Sequence, residues 1–179
     1  MNVRAQLDRF TIDDFERVPD DGMRYEVLNG SLLITPPAPY QHNRRTQHLG
    51  LALLSAAPSG LEVLMTGTQA IALEGGDGPC PDVLVFTPGD YAVAVPAAAV
   101  ALVVEVTSPG NRSNDTVTKL ERYARAGIGH YWIADPDRIT VYRLDAGEGA
   151  YREVTAGRLV RVTEPFPVEV SLPDQALPD

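Results

Sequence analysis

The sequence is poor in cysteine, since Cys80 is the one cysteine among 179 residues. It also has no apolar segment long enough to cross a membrane. A single cysteine excludes an internal disulfide framework, and we expect this thiol to be inert. The first ten residues also lack the apolar core of a secretory signal peptide. We therefore expect a cytoplasmic protein that makes no contact with membranes.

Several catalytic signatures are missing as well. The sequence contains no glycine-rich phosphate-binding loop of the Walker or Rossmann type, and Ser108 lacks the Gly-x-Ser-x-Gly surroundings of a serine hydrolase. His42 and His48 are too far apart in register to share one helix face, which argues against a two-histidine zinc site. The net charge of −9 argues against a simple basic surface for nucleic acid, although acids at a metal site would contribute to it.

Length and hydrophobic periodicity predict a single α/β domain over residues 1–179, with a loose tail from about residue 172. Thr11 is placed to cap a short N-terminal helix, and Asn29-Gly30 between two apolar runs predicts a hairpin. Helices are predicted at residues 40–57 and 114–126. Further strands are predicted at residues 61–65, 69–73, 82–86, 101–107, 130–134 and 139–144. Residues 151–155 and 159–162 are expected to form a terminal hairpin or meander, and residues 92–99 receive no assignment.

Two acidic residues stand beside apolar runs in the middle of the chain. Asp82 directly precedes Val83-Leu84-Val85-Phe86, and Glu105 lies inside a run of valines. A charge in such a place is costly to bury unless it is paired, protonated or coordinating an ion. Two neighbouring carboxylates would also raise the pKa of one of them, and a divalent cation would relieve their repulsion. Together with Lys119 on the second predicted helix, they suit a magnesium ion and a phosphate.

Each of these residues also has a purely structural interpretation. Asp82 could be a solvated strand end, and Glu105 could form an internal salt bridge with an arginine. Lys119 could pair with Asp115 one helical turn earlier, on a solvated face. The sequence alone leaves these alternatives open.

Three further residues are weaker candidates. Glu26 precedes the predicted Asn-Gly turn and is either a third metal ligand or a cross-strand residue. His42, near the start of the first long helix, is either a capping or core residue or a contact for metal or substrate. His130 is interpreted as structural.

The same residues belong to an ordered set of motifs, within a match that extends from residue 11 to about residue 144. The set is Tyr25-Glu26-Val27-Leu28-Asn29-Gly30, His42, Pro81-Asp82-Val83, Glu105-Val106-Thr107-Ser108-Pro109, Asp115-x-x-x-Lys119, Tyr123, Gly127-Ile128 and Tyr131-Trp132-Ile133-Ala134-Asp135-Pro136. In these motifs the chain resembles the Uma2 family of restriction-endonuclease-like proteins. The resemblance implies the PD-(D/E)xK nuclease fold, a mixed central sheet flanked by helices, here with an additional N-terminal hairpin and C-terminal strands.

The resemblance also implies roles for the candidate residues. Asp82 and Glu105 would bind the metal ion, Mg²⁺ or Mn²⁺, and Lys119 would serve the attacking water or the phosphate. The common pattern places a lysine two residues after the glutamate, where this chain has Thr107. The lysine would therefore have moved to the helix. Glu26 and His42 would flank the site.

We therefore expect a magnesium-dependent endonuclease that hydrolyses DNA phosphodiester bonds, acting as a two-fold homodimer because both strands must be cut. The alternative is a non-catalytic binding or assembly protein that retains the fold, which the acidic net charge and Thr107 favour. A third interpretation is a metal-dependent hydrolase of a small phosphorylated molecule.

Overall fold

The computed structural model describes residues 9–107 and 114–174, without the side chains of residues 114–116. In this part of the chain the strands are β1 (Arg24–Leu28), β2 (Ser31–Thr35), β3 (Glu62–Leu64), β4 (Ala70–Ala72), β5 (Val83–Phe86), β6 (Ala94–Pro96), β7 (Val100–Val106), β8 (His130–Ala134), β9 (Ile139–Asp145), β10 (Ala150–Gly157), β11 (Leu159–Val162) and β12 (Val168–Ser171). The α-helices are α1 (Tyr40–Ala56) and α2 (Asn114–Arg125). Short 3₁₀ turns cover Ile12–Arg17, Glu74–Gly76 and Ala97–Ala99.

A six-stranded mixed sheet in the order β10-β9-β8-β7-β5-β3 forms the centre of the molecule. Strands β7 and β8 run parallel, and the other neighbours in this sheet are antiparallel. A parallel pair needs a crossover connection, and α2 lies in the segment between β7 and β8. The pairs β1-β2, β4-β6 and β11-β12 lie outside this sheet.

The two helices belong to separate hydrophobic layers, because successive side chains of a strand point to opposite faces of the sheet. Leu49 and Leu53 of α1 pack with Leu102 and Val104 of β7 in one layer. Val103, the residue between them, packs with Tyr123 of α2 in the other layer. The alternation continues to the end of β7, so Glu105 follows Val103 to the α2 side and Val106 follows Val104 to the α1 side.

The predicted hairpin and the short capped helix are present. Asn29 and Gly30 both have positive φ, 56° and 75°, which is the backbone of the tight turn that joins β1 to β2. The amide of Thr11 donates a hydrogen bond of 2.8 Å to Asp14 Oδ2 at the start of the Ile12–Arg17 turn. None of the described helices is both long and apolar enough to span a bilayer.

The C-terminal strands pair differently from the prediction. Residues 151–155 and 159–162 do not form a hairpin with each other: β10 continues the central sheet beside β9, and β11 pairs with β12. Strand β12 was not predicted, nor were β6 and the turn that follows it in residues 92–99. Leu172 is 5 % exposed and packs in the core. The carbonyls of Pro173 and Asp174 accept hydrogen bonds from Arg158 and Arg44. Residues 175–179 of the predicted tail and the loop at residues 108–113 lie outside the described residues.

Candidate active site

The two acidic residues meet at one end of the central sheet. Strands β5 and β7 are antiparallel with Val83 opposite Val104, and continuing this register by one position sets Asp82 opposite Glu105. Directly opposed residues of an antiparallel pair have Cβ atoms only about 5 Å apart. Both acids are buried. Asp82 Oδ2 also accepts a hydrogen bond of 2.7 Å from the Val106 amide, which fixes its carboxylate against the end of β7.

Lys119 of α2 lies directly behind Glu105. Its Nζ is 3.1 Å from Glu105 Oε1 and 2.8 Å from Glu26 Oε1, and its side chain has no exposed surface. A fully buried ammonium group is tolerated only where carboxylates surround it in this way. The two glutamates accordingly hold the pKa of Lys119 above its usual value, although burial acts in the opposite direction.

Arg24 of β1 is the second cation of this cluster. Its Nη1 donates to Asp82 Oδ1 at 3.1 Å, and its Nη2 donates to Glu26 Oε2 at 3.0 Å. Burial acts to raise the pKa of Asp82, but the contacts with His42, Arg24 and the Val106 amide hold that pKa below its usual range. Asp82 is therefore ionised at neutral pH.

Glu105 has the opposite shift. Burial raises its pKa to about 7, and the neighbouring carboxylates of Asp82 and Glu26 add to the rise while Lys119 opposes it. Its Oε1 also accepts a hydrogen bond of 2.9 Å from the hydroxyl of Tyr123, one turn beyond Lys119 on α2. Glu105 is thus the carboxylate with the least compensated charge in the cluster.

Glu26 is held by three donors. Besides Lys119 and Arg24, the amide of Cys80 donates to Glu26 Oε1 at 2.8 Å. Burial acts to raise the pKa of Glu26, but these three partners lower it below its usual value. Burial raises the pKa of the Cys80 thiol to about 12, so this cysteine is protonated at neutral pH.

A cleft of about 750 Å³ opens over the cluster. Arg24, His42, Asp82, Glu105 and Thr107 are among its lining residues. The cleft wall comes from the β1-β2 hairpin, from the proline-rich segment at residues 36–39, from the start of α1 and from residues 65–68. The buried residues of the cluster that do not line it are Glu26, Lys119 and Tyr123.

His42 and Thr107 flank the two acids. His42 Nε2 is 3.4 Å from Asp82 Oδ2, and this contact raises the pKa of His42 even though burial acts to lower it. Thr107, which stands where the common pattern has lysine, gives its hydroxyl hydrogen bond to Asp135. Its carbonyl accepts a hydrogen bond of 3.0 Å from Arg45 of α1.

The donor set fits a hard divalent cation that keeps part of its water shell. The buried cluster holds the carboxylates of Asp82, Glu105 and Glu26 against the permanent cations Arg24 and Lys119, so one negative charge is left over when all three acids are ionised, and this excess favours a cation in the cleft. Within residues 9–107 and 114–174, no three histidine, cysteine or acidic side chains are grouped as a complete metal cage. Mg²⁺ needs no such cage, because it commonly binds one or two carboxylates and retains several waters.

The geometry decides between several interpretations of the sequence. Asp82 is buried and is not a solvated strand end, and among the described residues Glu105 contacts a lysine and a tyrosine and forms no direct salt bridge with an arginine. Lys119 points into the sheet layer and not to a solvated helix face. Glu26 is more than a simple cross-strand residue, because it forms ion pairs with both Lys119 and Arg24. It is not among the residues that line the cleft.

Sequence reasoning missed Arg24 and gave Tyr123 no role. Arg24 is two residues before Glu26 on the same strand, so the two side chains share a face, and that spacing was the available signal. Tyr123 is four residues after Lys119, which places both on one face of α2. Lys119 is also the only lysine in the whole sequence, beside fourteen arginines, and this contrast marks it out.

Comparison with known proteins identifies the family and the fold of the chain. A family model, Uma2, described as "Putative restriction endonuclease", matches residues 12–175. A crystal structure from Anabaena variabilis, described as a putative nuclease belonging to DUF820, superposes with a TM-score of 0.66 at 18% identity, over 87% of this chain and 89% of that chain. No curated protein matches. The superposition confirms the predicted restriction-endonuclease-like fold.

Proposed function

Because the chain belongs to the Uma2 family, we propose that it is a Mg²⁺-dependent endonuclease that hydrolyses phosphodiester bonds in DNA. The observation that carries the proposal is the pairing of Asp82 with Glu105 at the end of two adjacent strands, with Lys119 behind them and an open cleft in front. Asp82 and Glu105 would hold the ion. When bound, the ion would polarise the phosphate and lower the pKa of a coordinated water.

The other residues prepare these two carboxylates. Lys119 has no exposed surface, so its charge would act through Glu105, keeping that carboxylate ionised and offsetting the negative charge that develops on the phosphate. Tyr123 fixes the orientation of Glu105 through its hydroxyl. The Val106 amide and His42 do the same for Asp82. Glu26 holds Lys119 in place, and Thr107 belongs to the cleft wall.

Two features of the proposal concern the protein as a whole. Cutting both strands of a duplex requires two active sites, so we expect a two-fold homodimer. The single buried Cys80 suits a reducing compartment such as the cytoplasm. Sedimentation with and without duplex DNA would measure the oligomeric state, and a monomer in both conditions would exclude the homodimer.

A non-catalytic binding role is the second candidate. It is favoured by the net charge of −9 and by the fact that Asp82, Glu105 and Glu26 all have partners within the protein. In that case the ion pairs would serve the fold alone, and the protein would have no measurable affinity for a divalent cation.

Cleavage of supercoiled plasmid with Mg²⁺ or Mn²⁺ distinguishes the two functions. Asp82→Asn and Glu105→Gln should each reduce cleavage at least about a hundredfold, as removal of a group that stabilises a transition state does. The matched control is Asp90→Asn, an exposed acid outside the cleft lining, which should retain full activity. Circular dichroism would verify folding. Cleavage that survives both site substitutions, or that EDTA does not stop, would contradict the proposal.

A further inference from the structure

Arg24 differs from the other cation of the cluster in its access to the cleft. Its side chain is 19% exposed and lines the cleft, whereas Lys119 is 0% exposed and does not. Among the described lining residues it is the only arginine, and none of them is a lysine. Arg24 is therefore the permanent positive charge that a molecule entering the cleft would meet.

The two carboxylate oxygens of Asp82 differ in the number of groups that contact them. Oδ2 faces both the Val106 amide at 2.7 Å and His42 Nε2 at 3.4 Å. Oδ1 has a hydrogen bond of 3.1 Å from Arg24, and within the described residues no other donor bonds to it. If Arg24 moved, Oδ1 would face the cleft uncovered while Oδ2 kept the carboxylate in place.

Glu26 would keep two of its three partners if Arg24 moved. Its Oε1 retains Lys119 at 2.8 Å and the Cys80 amide at 2.8 Å, whatever Arg24 does. The guanidinium group also has one unbonded N–H donor, because its buried Nε has no hydrogen-bond partner among the described residues. Arg24 can thus keep Nη2 on Glu26 and turn its remaining donors elsewhere.

We infer that Arg24 is the resident counter-ion of Asp82, that it yields Oδ1 to the incoming divalent cation, and that it then binds a non-bridging oxygen of the substrate phosphodiester. This inference rests on the proposed function. Arginine suits the second task because its planar donors match phosphate oxygens. The exchange makes the cation and the nucleic acid bind cooperatively, since each favours the same position of Arg24.

Calorimetric titration with Mn²⁺ tests the first half of the exchange. Arg24→Gln removes the competing charge and should bind Mn²⁺ at least about tenfold more tightly than the wild type. The matched control is Arg143→Gln, the same change at an exposed arginine far from the cleft, which should leave the affinity unchanged. Binding of a duplex oligonucleotide in Ca²⁺, followed by fluorescence anisotropy, should in contrast weaken in Arg24→Gln by about tenfold.

The outcomes separate this inference from the proposed function. Equal or weaker Mn²⁺ binding by Arg24→Gln, with normal binding by the wild type, overturns the inference and leaves the proposed function intact. Absence of Mn²⁺ binding in every variant overturns both. If Arg24→Gln does not fold, side-chain NMR of the wild type decides: Arg24 signals should shift and their Nη rotation should accelerate on addition of Mg²⁺, and unchanged signals at saturating Mg²⁺ overturn the inference.

Discussion

The cluster around Lys119 and the ion pairs on the outer strands use the same kinds of residues in opposite surroundings. Lys119 and Glu26 have side-chain exposures of 0% and 2% at a separation of 2.8 Å. At the edge of the sheet, Arg138, which directly precedes β9, and Glu153 of β10 are 3.5 Å apart with exposures of 48% and 50%. The comparison shows that the number of ion pairs says little about what they do, because burial decides both their energy and their chemistry.

Solvent accounts for the difference. Exposed charges are screened by water and salt, and a surface pair contributes about 0.2–1 kcal/mol. Buried charges are desolvated at a cost of several kcal/mol each, so every member of the cluster depends on the others. Burial also raises the pKa of Glu105 to about 7, which is the kind of shift found at functional sites.

The largest effect is expected for Lys119→Met, which preserves volume and removes the charge. It leaves Glu26 and Glu105 buried without their ammonium partner, and we expect the free energy of unfolding at pH 7 to fall by about 3–5 kcal/mol. Urea denaturation would measure the change.

A second substitution then tests whether the loss is electrostatic. Adding Glu105→Gln to Lys119→Met removes the uncompensated carboxylate and should recover a substantial part of the lost stability. The resulting coupling energy between Lys119 and Glu105 should exceed about 1.5 kcal/mol. If the double variant is no more stable than Lys119→Met, the loss comes from packing and the cluster is not held by charge.

The sequence predicts the central sheet and the separate β1-β2 hairpin well, because burial and turn chemistry are local signals. Strands β5, β7 and β8 are continuous apolar runs, and Asn29-Gly30 specifies its own turn. The β11-β12 pairing was missed because β12 is short and lies in a proline-rich segment, and short β6 has no periodicity of its own. Both β12 and β6 are defined by the strand with which each pairs in the fold and not by a local sequence pattern.

The candidate site was predictable where a residue breaks the pattern of its surroundings. Glu105 interrupts a run of valines, and Asp82 precedes another apolar run, so both stand out. Arg24 does not stand out, because an arginine at the start of a hairpin strand is ordinary. Its role depends on the fold bringing the β1-β2 hairpin beside the end of β5, which no local pattern encodes.

An intermediate effect is expected for Glu26→Gln, and it should depend on pH. The pKa of Glu26 in the folded protein is below its ordinary value of 4.5. Its stabilising contribution is therefore complete above pH 4.5 and is lost as the pH falls through the folded value. Glu26→Gln should cost about 1–3 kcal/mol at pH 7, and this difference from the wild type should shrink at acid pH. Denaturation curves at pH 7, 5 and 3 would measure it.

Other carboxylates titrate over the same range, but they do so in both proteins, so the difference between the two isolates Glu26. A difference that stays constant from pH 7 to pH 3 would mean that Glu26 stabilises the fold by shape and not by charge.

The smallest effect is expected for the exposed pair. A double-mutant cycle of Arg138→Gln and Glu153→Gln should give a coupling energy of no more than about 0.5 kcal/mol. In 0.5 M salt this coupling should weaken markedly, because the Debye length there falls to about 4 Å, close to the separation of the pair. The coupling between Lys119 and Glu105 should largely persist in the same salt, since their side chains are only 0% and 9% exposed and ions have little access to the pair. Equal salt sensitivity of the two couplings would place solvent inside the cluster and remove the distinction between the two regions.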